Sequence, residues 1–254
     1  MAIAAIDDQE LYSLLSVPHI KNLDNFRVKA NLSKLAKKFN ELKSTDALTA
    51  YTYLGMIEMY KNNHDEAIQL LKKALKISPT EFVVLYNIGI CYELSGNYND
   101  AIVYFKKIID NNPTIYKKLL DMALFYFDDE LLKFLENSNK SKFSKFNVKK
   151  SSKDYYPPLN KFDFEQYRIQ LNIVNKVVHK YLLIPTIRKS KFYNFDGGNL
   201  VTNIDLETDN IEIINQIIIE YEEELFKCAQ KQEDGGFEFY EKLNQSVVSF
   251  DVAS

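Results

Sequence analysis

The chain has 254 residues, of which 46% are hydrophobic and 26% charged, and a formal net charge of −3. These values suit one large or two small globular domains with a sizeable core, and they exclude a partner chosen by bulk charge alone. Only Arg27, Arg168 and Arg188 are arginine among 32 basic residues, which argues against a DNA reader built on the planar arginine fork.

At the N-terminus, "MAIAAIDDQE" turns acidic after six residues and has no basic n-region, so no secretory leader is expected. No apolar run approaches the ~20 residues a spanning helix needs. Cys91 and Cys228 are far apart in sequence and read as small apolar residues in a reducing compartment, with no disulfide framework or metal site. The expected location is cytoplasmic. "IDDQELYSLL" carries an Asp7-x-x-Glu10 capping box and starts a short helix. Phe26–Ser44 follows as an amphipathic helix. Residues 1–46 are therefore expected to cap what comes next.

The next 68 residues say one thing twice. Gly55 and Gly89, Ala67 and Ala101, and Pro79 and Pro113 each lie 34 residues apart. Leu54 pairs with Ile88 and Leu71 with Phe105 at the same offset. Within one copy, Leu48, Tyr51, Leu54 and Ile57 recur at helical spacing. "KNNHD" breaks that pattern with turn and cap residues. Ala67, Ile68, Leu71, Ala74 and Leu75 resume it until Pro79, which cannot continue a helix. Each copy is thus a helical hairpin. Gly55, Ala67, Gly89 and Ala101 are small where its two helices must approach closely.

The order Leu54-Gly55, polar turn, Ala67, Leu71, Ala74, Pro79 resembles the tetratricopeptide repeat. So does Ile88-Gly89, Tyr92, Gly96, Tyr98, Ala101, Phe105, Ile108, Pro113. Glu58 and His64 depart from the family's aromatic preferences. The resemblance covers residues 48–115, as units 48–81 and 82–115. A third step of 34 residues from Gly89 reaches Met122-Ala123. Residues 116–137 then read as a degenerate third unit with a shortened turn at Asp128-Asp129. Such units need neighbours to cover their faces, so stacking is expected. The array is assigned to residues 47–137.

Residues 138–162 form a predicted linker. Between Asn137 and Lys153 it holds six lysines (Lys140, Lys142, Lys145, Lys149, Lys150, Lys153), no acid, and Phe143 and Phe146. It reads as a solvated, self-repelling segment, with nucleic acid as the rival reading. Residues 163–254 are expected to be a small α+β domain: a helix, a β-hairpin around Phe195–Asn199, a helix, a Gly235-Gly236 turn, a short helix and a last strand. Leu200, Thr202, Ile204 and Leu206 should share one strand face. Ile214, Ile217, Ile218, Tyr221 and Leu225 should form the buried stripe of the second helix. The overall fold class is mainly α, a helical-hairpin array followed by this α+β domain.

Little in the chain points to catalysis. No P-loop, dinucleotide fingerprint or nucleophile motif occurs, so no cofactor and no catalytic residue is assigned. His19, His64 and His179 lack metal-ligand spacing. Asp196, Asp205, Glu207, Asp209 and Glu212 cluster near the hairpin, but Asp209 reads as a helix N-cap and the glutamates suit a positive helix end. "EYEEE" (Glu220–Glu224) reads as a solvated face that can also meet the lysine segment.

The resemblance implies a concave groove lined by the first helix of each hairpin. Its predicted residues are Thr49, Thr52, Met56, Met59 and Tyr60, then Val83, Tyr86, Asn87, Ile90, Glu93 and Leu94. The surface is mainly apolar, so an apolar or helical segment is the expected ligand. The protein's own flanking helix or second domain is the alternative occupant. The expected function is a non-enzymatic adaptor that binds another protein or self-associates. The rival readings are an effector or enzyme active in the C-terminal domain, and a nucleic-acid-binding regulator acting through the lysines.

Overall fold

The computed structural model describes residues 26–109, 112–138, 164–182, 187–194, 199–206, 208, 210–231, 238–239 and 246–252. The Asp7 capping box, His19, the six-lysine segment, the turn at 195–198, Glu207, Asp209 and Gly235-Gly236 lie outside the described residues.

Helix α1 (Phe26–Leu42) buries Leu32, Leu35, Phe39 and Leu42, one stripe at spacings of three and four. That stripe closes on Ala50, Leu54, Ile57 and Tyr60 of α2 (Ala47–Tyr60), so α1 covers the open side of the first hairpin. The Asp46 side chain caps α2 by accepting from the Thr49 amide. Asn62, at φ 66°, turns the chain into α3 (His64–Ile77). Ser78 follows α3 as C-cap, and Pro79 stands just beyond it.

The second hairpin is α4 (Phe82–Leu94) and α5 (Tyr98–Lys106), with Gly96 at φ 76° and an Asn97 cap between them. Pro113 does not close its hairpin as Pro79 does. Helix α5 stops at Lys106, well short of that proline. Pro113 instead opens α6 (Pro113–Tyr126), behind an Asn112 cap that accepts from the Thr114 and Ile115 amides. Its missing N–H is one that no helix would have used at that position. Helix α7 (Asp129–Ser138) completes a third hairpin after a left-handed Phe127 at φ 52°.

Both hairpin glycines sit where a side chain would collide. A Cβ on Gly55 would fall 2.7 Å from Leu71 Cγ, and one on Gly89 would fall 2.6 Å from Phe105 Cε1. Ala67 and Ala101 are fully buried in the same seams.

Beyond the array come α8 (Phe164–Tyr181), β1 (Ile187–Asn194), β2 (Asn199–Leu206), α9 (Ile211–Ala229) and β3 (Ser246–Val252). β1 and β2 pair antiparallel from Ile187↔Leu206 to Asn194↔Asn199. β3 pairs parallel to β2, from Leu200↔Ser246 to Leu206↔Val252. A parallel neighbour requires a crossover, and α9 lies within that connection. The sheet order is β1-β2-β3. Leu200, Thr202, Ile204 and Leu206 are all buried, so β2 turns this face to the core. The N-cap of α9 is Asn210, one residue after the expected Asp209. Its side chain accepts from the Glu212 and Ile213 amides.

Candidate partner-binding surface

Helix α8 decides what the repeats can offer. It is buried on both sides. Tyr167 and Leu171 join the core of the second and third hairpins, while Ile173, Val174, Val177 and Val178 pack under the sheet and α9. Arg168 donates from Nε to the Tyr126 carbonyl at 2.8 Å and from Nη2 to the Phe127 carbonyl at 2.6 Å. Those are carbonyls at the end of α6, which no helical amide satisfies. Asn175 donates to the Tyr126 hydroxyl at 2.7 Å. The Asn172 carbonyl lies against Gly96, and the Lys180 carbonyl accepts from Asn62 Nδ2 at 3.1 Å. Going along α8, the Arg168, Asn172 and Lys180 contacts meet the third, second and first hairpin turns in that order. The helix is a bar laid across all three.

The predicted groove residues divide into three groups. Thr52, Tyr60, Asn87, Ile90 and Leu94 are buried. The Thr52 hydroxyl donates to the Leu48 carbonyl, and Asn87 Nδ2 donates to the Val83 carbonyl, both at 2.8 Å. These are bonds within their own helices. Thr49, Met56, Met59, Tyr86 and Glu93 are half-buried. Met56 packs against the α1 core, Met59 against Ala67 and Cys91, and Glu93 pairs with Lys118 at 2.6 Å. Val83 is open, at 47% exposure. Beside it stands Phe82, which was absent from the predicted set. It is 40% exposed, and its ring stacks on Tyr86 at 6.1 Å. The accessible apolar strip is therefore Phe82 and Val83 at the start of α4, with the half-buried Tyr86 beside them.

Asp121 on α6 has its carboxyl pushed up by burial, against the pull of Lys117 and Lys118. Burial also raises the Tyr126 and Tyr98 phenols, which stack at 4.0 Å beneath α8. Neither is poised to lose a proton near neutrality. Among the described residues, no group of three or more His, Cys, Asp and Glu side chains is placed to hold a metal ion. The Cys91 thiol is fully buried and donates to the His64 carbonyl at 3.4 Å. Glu220 and Glu224 of "EYEEE" meet lysines of α8: Glu220 pairs with Lys180 and Glu224 with Lys176, each at 2.5 Å.

The role of α8 was missed from sequence, yet a signal was present. A helix with apolar residues on one face only belongs at a surface. In α8, apolar residues surround the axis and Gln166, Gln170, Asn175 and His179 are buried with them. That pattern fits a helix covered on two sides.

Residues 46–113 match the family model of the tetratricopeptide repeat. The chain is 34% identical over 70 residues to BBSome complex member BBS4 of Bos taurus, covering 28% of this chain and 14% of that protein. It is 26% identical over 99 residues to the antiviral innate immune response effector IFIT1 of Homo sapiens, covering 31% of this chain and 21% of that one. Photosystem I assembly protein Ycf3 of Cuscuta gronovii is 30% identical over 78 residues, covering 30% of this chain and 46% of that protein. The matches thus span less than half the length of each of these relatives. The 46–113 segment is a tetratricopeptide repeat region, a kind of module that binds other proteins. No helix among the described residues is long and apolar enough to cross a membrane.

Proposed function

We propose that this chain is a non-enzymatic adaptor whose repeat face, centred on Phe82, Val83 and Tyr86, takes an apolar or helical segment of a partner protein. The observation that carries this reading is the strip itself. Phe82 and Val83 are exposed at the start of α4, and the Phe82 ring stacks on the half-buried Tyr86. An amphipathic helix recognises such a strip through anchors at one face, gaining from apolar burial with little demand for charge pairing. Residues 47–137 act as the interaction module in this reading, and 163–254 brace it through α8. The match of residues 46–113 to the repeat family supports the protein-binding class. The relatives' own assemblies are theirs.

The test is site-specific photo-crosslinking in the source cell. A photoreactive residue replacing Val83 should capture a discrete protein adduct. The same group replacing Val103, an exposed residue of α5 in the same array, should not. Equal capture at both positions, or none at Val83, overturns the assignment. Val83→Glu should abolish the adduct partner's co-purification while leaving the helical circular dichroism unchanged.

A further inference from the structure

We infer that the outward face of α9 is a self-association surface, pairing antiparallel with the same face of a second copy of this chain. Helix α9 buries Ile214, Ile217 and Tyr221 against α8 and the sheet. Its other side carries Ile211 at 69% exposure, Ile219 at 49% and Phe226 at 54%. Asn215 and Glu222 lie between them, so steps of four, four, three and four keep all five on one stripe. Scattered exposed apolar residues need no explanation, but a stripe along one helix does.

The stripe is close to symmetric about Ile219, with Ile211 eight residues before it and Phe226 seven after. A two-fold axis through Ile219 demands that each residue meet its mirror across the interface. Ile211 of one copy then falls beside Lys227 of the other, and Phe226 beside Glu212. Asn215 faces Glu223, and Gln216 faces Glu222. Glu212, Glu222 and Glu223 are all exposed, and in this register none meets another acid. Lys227, with its side chain 57% exposed while it pairs with Glu224, is within one turn of Glu212 of the other copy. A parallel pairing would set Glu222 and Glu223 against themselves, a like-charge contact that is unfavourable. Charge therefore selects the antiparallel arrangement, and the symmetric spacing selects a second copy over an unrelated helix. From Ile211 to Phe226 the stripe is about 22 Å long. That is small beside standard interfaces, so dissociation in the micromolar range is expected.

Sedimentation velocity of the full chain over about 1–100 µM, a range set by that expected affinity, should show a reversible monomer–dimer equilibrium. Ile219→Glu should weaken it at least tenfold. A monomer at every concentration overturns the proposal, whether the stripe is bare or covered by the chain's own lysine-rich 140–153 segment. So does a dimer that survives Ile219→Glu. Geometry gives an independent check in a Cys228→Ser background. Ile219→Cys, on the axis, should form a disulfide-linked dimer under mild oxidation. Ile211→Cys should not, because antiparallel copies hold those residues about 24 Å apart, twice eight residues at 1.5 Å each. Crosslinking at both positions would mean parallel pairing and would overturn the arrangement.

Discussion

Gly89 shows how a backbone seam is specified by the absence of one atom. Alanine favours a helix over glycine by about 1 kcal/mol, but here its Cβ would sit 2.6 Å from the Phe105 ring. Phe105 is fully buried and cannot swing away. Overpacking costs about 1–3 kcal/mol and outweighs the propensity gain. Gly89→Ala should therefore destabilise the protein in urea by up to about 2 kcal/mol after that offset, and a higher midpoint would refute the close-approach reading. Arg168 is the second residue to single out. It satisfies two carbonyls at the end of α6 with one guanidinium. Arg168→Met keeps much of the aliphatic stem and removes the donors, so a loss of about 2–3 kcal/mol is expected. Arg168→Lys should recover only part, because an ammonium lacks the fork. Full recovery by lysine would show that charge alone mattered.

At the scale of elements, α8 and α9 run antiparallel and are clasped by Lys176–Glu224 and Lys180–Glu220, both at 2.5 Å. The Tyr181 hydroxyl also donates to Glu220. The Lys176 hydrogen bond pulls the Glu224 carboxyl down to about 2, against a smaller opposing effect of burial. Burial pushes Glu220 up, but its bonds from Lys180 and Tyr181 leave it lowered overall. A carboxylate with a depressed folded value stabilises the fold above its unfolded value and loses that contribution as pH falls through the folded one. The clasp should thus hold above pH about 4.5 and fail progressively toward pH about 2, given the Glu224 value. Acid titration followed by tertiary signals should show wild type losing stability across that window more steeply than Glu224→Gln. Matching acid limbs would sink the idea. Tyr181 behaves in the opposite sense. Burial first, then its bond to Glu220, raises it to about 12. Its contribution is complete below its unfolded value and disappears as pH climbs through the folded one.

For the whole molecule, the decisive fact is that α8 belongs to two cores at once. Tyr167 is fully buried, packs on Phe127 at 5.4 Å between ring centroids, and shares a hydrogen bond with Thr202 of β2. Tyr167→Ala opens a cavity that both halves feel, at a cost of about 3–5 kcal/mol. If the two halves are one cooperative unit, helical signal and β-sheet signal should unfold at the same denaturant concentration, in wild type and in Tyr167→Ala alike. Two separated transitions would show that α8 does not couple them. Much of this architecture was legible beforehand. The 34-residue offset between Gly55 and Gly89 marked the hairpins, and the Leu200–Leu206 alternation marked the buried strand face. The groove residues were less legible. The family resemblance places Thr52, Tyr60, Asn87, Ile90 and Leu94 along a groove, yet they are buried. Whether a helix position meets solvent depends on neighbours that the repeat itself does not encode.

What the sequence determined by itself is therefore local and periodic. Apolar spacing set the helices, side-chain caps and proline set their ends, and small residues at a fixed offset set the hairpin seams. Only the tertiary structure decided that α8 lies across the three turns, that α1 closes the first hairpin, and that Phe82 and Val83 remain open. Those outcomes rest on contacts between residues far apart in the chain, such as Arg168 with Phe127 and Asn62 with Lys180. A one-dimensional pattern records which face of a helix must be covered, but not which element covers it.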